Sequence, residues 1–113
     1  MANEVDATLA ALADPTRRRI VELLHERPHR AGELVATFQS SAPTISRHLR
    51  VLRHSGLVAE HGLADDARVR VYQLQPEPFI ALSAWLDQVQ AFWTDQLGAF
   101  KEHAERTRKA TKT

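Results

Sequence analysis

Apolar residues recur at helical spacing along the first half of the chain, and prolines and small polar residues mark where the helices begin and end. Residues 6–13 predict a short helix with Asp6 as its N-cap. Proline disfavours helical geometry in the residue before it and is well accommodated in a first helical turn. Asp14 followed by Pro15 therefore predicts a break and then a second helix, which should stop before Pro28.

Two further helices are predicted to form a helix-turn-helix pair. Residues 31–38 predict the third helix, and a tight turn follows it. Ser41 is the expected N-cap of a fourth helix over residues 42–54, which should end at Gly56. The apolar residues expected to pack the two helices together are Leu34, Val35, Phe38, Ile45, Leu49 and Leu52.

After the fourth helix the apolar periodicity changes from helical to alternating. Residues 57–63 and 68–74 predict two strands joined by the sequence ADDA, and therefore a hairpin. Val69 and Val71 are predicted to form the apolar face of the second strand. The residues predicted on its polar face are Arg68, Arg70 and Tyr72.

A single long helical pattern runs from residue 79 to about residue 108. The predicted fold class is therefore mainly α with a small β-hairpin: four helices, the hairpin and a long C-terminal helix. A chain of 113 residues is expected to be one small domain. Its predicted parts are a core with the hairpin over residues 6–75, a C-terminal dimerisation helix over 77–108 and a basic tail over 109–113.

Composition excludes several classes of function. The chain has no cysteine, which excludes disulfides, thiolate metal sites and thiol redox sensing. No apolar run approaches the roughly 18 residues of a membrane span, and the N-terminal residues lack the pattern of a signal peptide. We therefore expect a cytoplasmic protein without a membrane partner. No nucleophile lies at a recognisable motif spacing from a base, so neither an enzyme nor a cofactor is expected.

The fourth predicted helix carries the clearest functional pattern, because residues 39–59 contain no acid while Arg47 and Arg50 lie opposite its apolar stripe. Arginine pairs with guanine edges in the DNA major groove, and amides at a helix N-terminus can hold phosphate. A solvated basic face is the alternative. Arg53 lies nearer the core and is expected to have a structural or phosphate-binding role. The predicted DNA contacts are Gln39, Ser40, Ser41, Thr44, Ser46, Arg47, His48, Arg50, Arg68 and Arg70.

Three motifs together resemble the ArsR family of bacterial winged-helix repressors. They are LADPTRRRIVELL at 12–24, GELVATFQSSAPTISRHLRVLRHSGLV at 32–58 and RVRVYQL at 68–74. The resemblance implies a winged helix-turn-helix fold, with the hairpin as the wing. It also implies a homodimer that binds double-stranded DNA at an operator near its own promoter and leaves on a signal. A two-fold dimer would place its recognition helices about 34 Å apart, so the operator should be an inverted repeat.

The C-terminal helix should supply the dimer interface, because no Lys or Arg occurs between Arg70 and Lys101 and its apolar surface is too broad for one small domain to cover. Packing of this helix on its own domain alone is the alternative. A third hypothesis is a winged-helix module that binds another protein through the same surface. The predicted interface residues are Leu9, Leu12, Trp85, Leu86, Val89, Phe92, Trp93 and Leu97.

The signal that such a repressor senses is left open. Many relatives resemble metal sensors, with a cysteine motif on the third helix or Asp and His ligands on the last helix. Here cysteine is absent, and Asp87 and His103 are 16 positions apart. We therefore expect no metal site, with an atypical His/Asp/Glu site as the alternative. The two weaker groupings, whose members we expect to be solvated, are His25 with Glu26 and His29, and His61 with Asp65 and Asp66.

Overall fold

The computed structural model describes residues 3–111, and the side chains of residues 3–108. It divides into two compact units, of which the first ends at Leu82 and the second begins at Ser83. The predicted fold class is confirmed, with mostly helical structure and one two-stranded antiparallel hairpin. The side chains of the predicted basic tail lie outside the described residues. The elements are α1 (Glu4–Ala11), α2 (Pro15–Glu26), α3 (Ala31–Phe38), α4 (Ala42–His54), β1 (Val58–Gly62), β2 (Arg70–Leu74) and α5 (Pro76–Thr111).

The N-terminus of α1 differs from the prediction, because Asn3 and not Asp6 is its N-cap. The Asn3 side chain accepts a hydrogen bond of 2.8 Å from the Asp6 amide, and the Asp6 carboxylate accepts one of 3.4 Å from the Asn3 amide. This reciprocal capping box starts the helix earlier than predicted. The start of α2 is as predicted, since the Asp14 carboxylate accepts from the amides of Thr16 and Arg17.

Residues from α1 to α4 and from the start of the hairpin form the core of the first unit. Leu34, Ile45, Leu49 and Leu52 are buried as predicted, and Val35 and Phe38 pack partly against them. A fully buried side chain of this kind contributes roughly 1.5–3 kcal/mol. The remaining buried apolar residues are Ala11, Ile20, Leu23, Leu24, Leu57 and Val58. The predicted helix-turn-helix core is therefore confirmed, with α2 and the start of the hairpin packed beside it.

The hairpin strands are shorter than predicted, and their core-facing side was predicted wrongly. Val58 pairs with Leu74, and Glu60 pairs with Tyr72. Tyr72 and Leu74 pack against the core, so Tyr72 does not lie on a polar face. Val69 precedes β2, so only Val71 remains on the predicted apolar face, whereas the larger side chains of Tyr72 and Leu74 both lie within the strand. The backbone of Tyr72 also pairs with that of His29 in the α2–α3 linker, a contact distant in sequence.

The long helix α5 begins at Pro76, three residues before the predicted start at residue 79, because proline is well accommodated in a first helical turn. Within the first unit, Pro78 is buried and Phe79 packs against the core. The second unit is the remainder of this helix from Ser83 onward. Within the described residues, no helix combines the length and apolar character needed to cross a membrane.

Candidate nucleic-acid interface

Helix α4 begins and ends at the predicted residues because strong local signals mark both ends. The Ser41 hydroxyl accepts a 3.2 Å hydrogen bond from the Thr44 amide and lies 2.7 Å from the Thr44 hydroxyl. At the other end Gly56 has a φ of 82°, and the Leu57 amide donates back to the Leu52 carbonyl at 3.0 Å. The helix is therefore held rigidly at both termini with one face buried.

The exposed face of α4 presents two arginines that no other residue among 3–108 engages. Arg47 and Arg50 are both exposed, and Ser46 lies beside Arg47. Among residues 3–108, neither guanidinium group makes a hydrogen bond or an ion pair. Five N–H donors on each guanidinium are therefore available to an acceptor outside the chain. This arrangement suits guanine edges or phosphate oxygens.

The polar residues around the turn and the first half of α4 are partly committed to the chain itself. Gln39 ends α3 in the left-handed region with a φ of 50°. Ser40 and Thr44 are half-buried, and Ser41 is used as the N-cap. The Nδ1 atom of the half-buried His48 lies 3.5 Å from a guanidinium nitrogen of Arg17. The structure places all these residues around the exposed start of α4.

The two arginines predicted on the wing are both paired with acids. Arg68 is exposed and contacts Asp66 at 3.1 Å. Arg70 contacts Glu60 at 2.9 Å, and Arg53 at the end of α4 contacts the other carboxylate oxygen of Glu60 at 3.0 Å. Hydrogen bonding from Arg70, with a further effect of the Arg53 charge, lowers the pKa of Glu60 below its ordinary value of 4.5. Unlike Arg47 and Arg50, these arginines have partners within the chain.

Sequence reasoning missed Glu60, although one signal was available. Glu60 is the first acid after the acid-free stretch, and it lies on the first predicted strand of the hairpin. In the observed register Glu60 faces Tyr72, so Arg70 is its diagonal neighbour on the adjacent strand. A search for opposite charges across the predicted hairpin would have paired Glu60 with an arginine of the second strand.

Comparison with known proteins agrees with this geometry. The family model described as "Bacterial regulatory protein, arsR family" matches residues 14–60, which include the whole helix-turn-helix. HTH-type transcriptional regulator Rv2034 of Mycobacterium tuberculosis is 40% identical over 97 residues, which are 86% of this chain and 85% of that protein. This chain belongs to the ArsR family. It is therefore a DNA-binding transcriptional regulator of a non-enzymatic class, as expected from the sequence.

Two further relatives of this ArsR-family regulator extend the comparison. Transcriptional repressor SdpR of Bacillus subtilis is 39% identical over 51 residues, which are 45% of this chain and 57% of that protein. A solved ArsR-like transcriptional regulator from Rhodococcus sp. RHA1 is 27% identical, with a TM-score of 0.73 over 88% of this chain and 91% of that one. The predicted winged helix-turn-helix fold is thus confirmed.

The histidines of this ArsR-family regulator do not assemble with other ligand residues. Within residues 3–108, no three His, Asp or Glu side chains come close enough to hold a metal ion. His25 and His61 are exposed as expected. His29 was predicted to be solvated, and this is wrong, because its side chain is only 5% exposed. Its Nδ1 atom lies 2.8 Å from the Arg27 carbonyl and its backbone pairs with that of Tyr72, so His29 has a structural role.

The predicted interface residues of the regulator fall in both compact units. Leu9 in the first unit is exposed, whereas Leu12 packs partly against the core. In the second unit Val89 is half-buried, and the rings of Phe92 and Trp93 meet edge to face with centroids 5.9 Å apart. The exposed large apolar residues of that unit are Trp85, Leu86, Phe92, Trp93, Leu97 and Phe100.

Proposed function

We propose that this ArsR-family regulator is a cytoplasmic homodimeric repressor that binds an inverted-repeat operator through residues 42–54 and the wing over 57–74. The observation that carries the proposal is the pair Arg47 and Arg50, which are exposed on the face of α4 opposite its buried residues and have no partner within the described part of the chain. Repression is supported by the relative SdpR, whose name is that of a repressor.

The proposed dimer is supported by the second unit, where six large apolar side chains are exposed along one helix. Exposed apolar surface of this extent is typical of a protein interface. A two-fold dimer places its recognition helices one helical turn of DNA apart, about 34 Å. The predicted operator is therefore a palindrome whose half-sites are separated by one turn.

Selection of bound sequences from random DNA tests binding and operator symmetry together. The recovered operator then allows single arginine substitutions to be compared. We expect Arg47→Ala and Arg50→Ala each to weaken operator binding by about 1–3 kcal/mol and to relax preference at the contacted base pair. Arg106→Ala, which removes the same charge from an exposed position on α5, serves as the control.

Unchanged operator affinity and unchanged base preference in both Arg47→Ala and Arg50→Ala would show that the recognition face is assigned wrongly. A non-palindromic selected site would contradict the two-fold dimer. A metal-responsive repressor is not favoured by any grouping of residues 3–108. Titration of zinc, nickel or cobalt with operator release as the readout tests that alternative. A protein-interaction module predicts no salt-dependent DNA binding at all.

A further inference from the structure

Glu60 joins two arginines that come from different elements. Its two carboxylate oxygens contact Arg53 of α4 at 3.0 Å and Arg70 of β2 at 2.9 Å. The Glu60 side chain is 19% exposed, whereas each of the two arginine side chains is about half exposed. The carboxylate is therefore largely shielded, whereas the two arginine side chains remain partly exposed to solvent.

The same cluster lies next to Tyr72, the residue through which the wing pairs with the α2–α3 linker. Tyr72, which pairs with Glu60 across the hairpin, donates its amide to the His29 carbonyl at 2.7 Å and accepts from the His29 amide at 3.1 Å. Burial, and then the Glu60 charge, raise the pKa of Tyr72 above its ordinary value of 10.0. The wing is thus attached to the α2–α3 linker through its backbone and to α4 through Glu60.

The net charge of this cluster affects how strongly the protein binds a polyanion such as DNA. Two guanidinium groups around one carboxylate carry a net charge of one positive unit, and they would repel each other if the carboxylate were neutral. Nonspecific DNA binding depends mainly on the number of phosphates that cationic groups neutralise. The Glu60 carboxylate, which is paired with Arg53 of α4 and Arg70 of the wing, therefore reduces the positive charge that these two elements present to DNA of any sequence.

We propose that Glu60 is a specificity-determining residue, which holds Arg53 and Arg70 in one ion-pair cluster, fixes the wing against α4 and suppresses binding to nonspecific DNA. This inference rests on the proposed operator binding. Base reading is left to Arg47 and Arg50, which have no acid partner among residues 3–108. If Arg53 and Arg70 were free, they would add affinity for any DNA sequence. With both arginines held by Glu60, a larger share of the operator affinity comes from contacts that depend on the base sequence.

Glu60→Gln tests the inference, with Glu22→Gln as the matched control. Glu22 also pairs with an arginine, Arg19 at 3.1 Å, but both of these side chains are exposed on α2. We expect Glu60→Gln to bind nonspecific duplex more tightly, with a slope of log affinity against log salt steeper by about 0.9 for each added phosphate contact. Each added contact makes affinity fall about 3.5-fold more between 50 and 200 mM salt.

The ratio of operator to nonspecific affinity should fall in Glu60→Gln and stay unchanged in Glu22→Gln. Glu60→Gln both releases the arginines and makes the protein more positive. Combining it with Arg70→Gln shows which of these two effects changes nonspecific binding. Arg70→Gln should reduce nonspecific affinity more in the Glu60→Gln background than in the wild type. Equal effects of Arg70→Gln in both backgrounds, or an unchanged salt slope in Glu60→Gln, would overturn the inference.

Circular dichroism and thermal unfolding establish that each variant is folded before binding is measured. If Glu60→Gln does not fold, Glu60→Asp is used, since its shorter side chain keeps the charge but cannot reach both guanidinium groups. Because aspartate keeps the negative charge and can still hold one arginine, a smaller steepening of the salt slope, by about one phosphate contact, is expected, and an unchanged slope contradicts the proposal. A wild-type protein without salt-dependent DNA binding would refute the proposed function itself, which is a different result from a wild type and a variant that bind identically.

Discussion

Trp93→Ala is expected to weaken the proposed dimer strongly. Trp93 is 57% exposed in the single chain. Large aromatic side chains bury about 150–250 Å² when fully covered, so roughly 85–140 Å² of Trp93 is available to an interface. At about 25 cal/mol per Å², covering that area contributes roughly 2–3.5 kcal/mol in each subunit. Two-fold symmetry doubles the contribution, to about 4–7 kcal/mol per dimer.

The measured loss should be smaller than this upper range, because alanine still covers part of the surface and association does not convert all buried area into affinity. A loss of about 3 kcal/mol or more remains, which corresponds to at least about a hundredfold rise in the dimer Kd. The edge-to-face contact between Trp93 and Phe92 is lost as well, so the Phe92 ring also becomes less well held.

Sedimentation equilibrium over a range of protein concentrations measures this Kd directly. Asp87→Ala is the control, since Asp87 is exposed, lies about 120° around the helix from Trp93 at 100° per residue and is at least about 80° from every predicted interface residue of α5. It should leave the Kd unchanged, and circular dichroism should show the same helix content in all three proteins. A wild-type dimer whose Kd is the same in Trp93→Ala would refute the assignment of this surface to the interface.

Two further predictions concern stability. Leu49→Ala removes a side chain that is 1% exposed in the core behind α4, so urea unfolding should show a loss of about 2–5 kcal/mol, and a loss below 1 kcal/mol would contradict that packing. Arginine partners lower the pKa values of Glu33 and Glu60 below 4.5, so their stabilisation is present above pH 4.5 and is lost as the pH falls through their folded-state values. The urea midpoint should therefore decrease from pH 6 to pH 3 by less in Glu60→Gln than in the wild type, and equal decreases would exclude a contribution from Glu60.

The helical half of the fold was predictable because its boundaries depend on neighbouring residues. Ser41 and Gly56 act on amides and carbonyls within one or two turns of themselves, and both were predicted correctly. Asn3 was missed because Asp6 is an equally good capping residue in isolation, and only the reciprocal hydrogen bonds distinguish the two positions. Errors of this kind shift a helix end and leave the core unchanged.

The larger errors concern residues whose environment depends on a contact distant in sequence. His29 and Tyr72 are both polar enough to suggest exposure, yet they pair through their backbones, His29 is buried and Tyr72 packs partly against the core. The alternation in the second strand favours Val69 and Val71 as the inward face, because Arg68 and Arg70 lie on the other side, yet Tyr72 and Leu74 of that other side pack against the core. Tyr72 also pairs with His29, 43 positions before it, and a contact at that distance cannot be read from the local alternation.

The same distinction explains which arginines could be assigned from the sequence. Arg47 and Arg50 have no acid within a helical turn, and in a rigid helix only residues three or four positions away can pair along its surface. Their availability therefore follows from local spacing. Arg53 and Arg70 lie 7 and 10 positions from Glu60, on a different element or strand, and their pairing requires the turn after α4 and the hairpin register. A stretch without acids thus indicates that the arginines of a helix are available to bind DNA. The availability of arginines on a hairpin also depends on which residues its register places beside them.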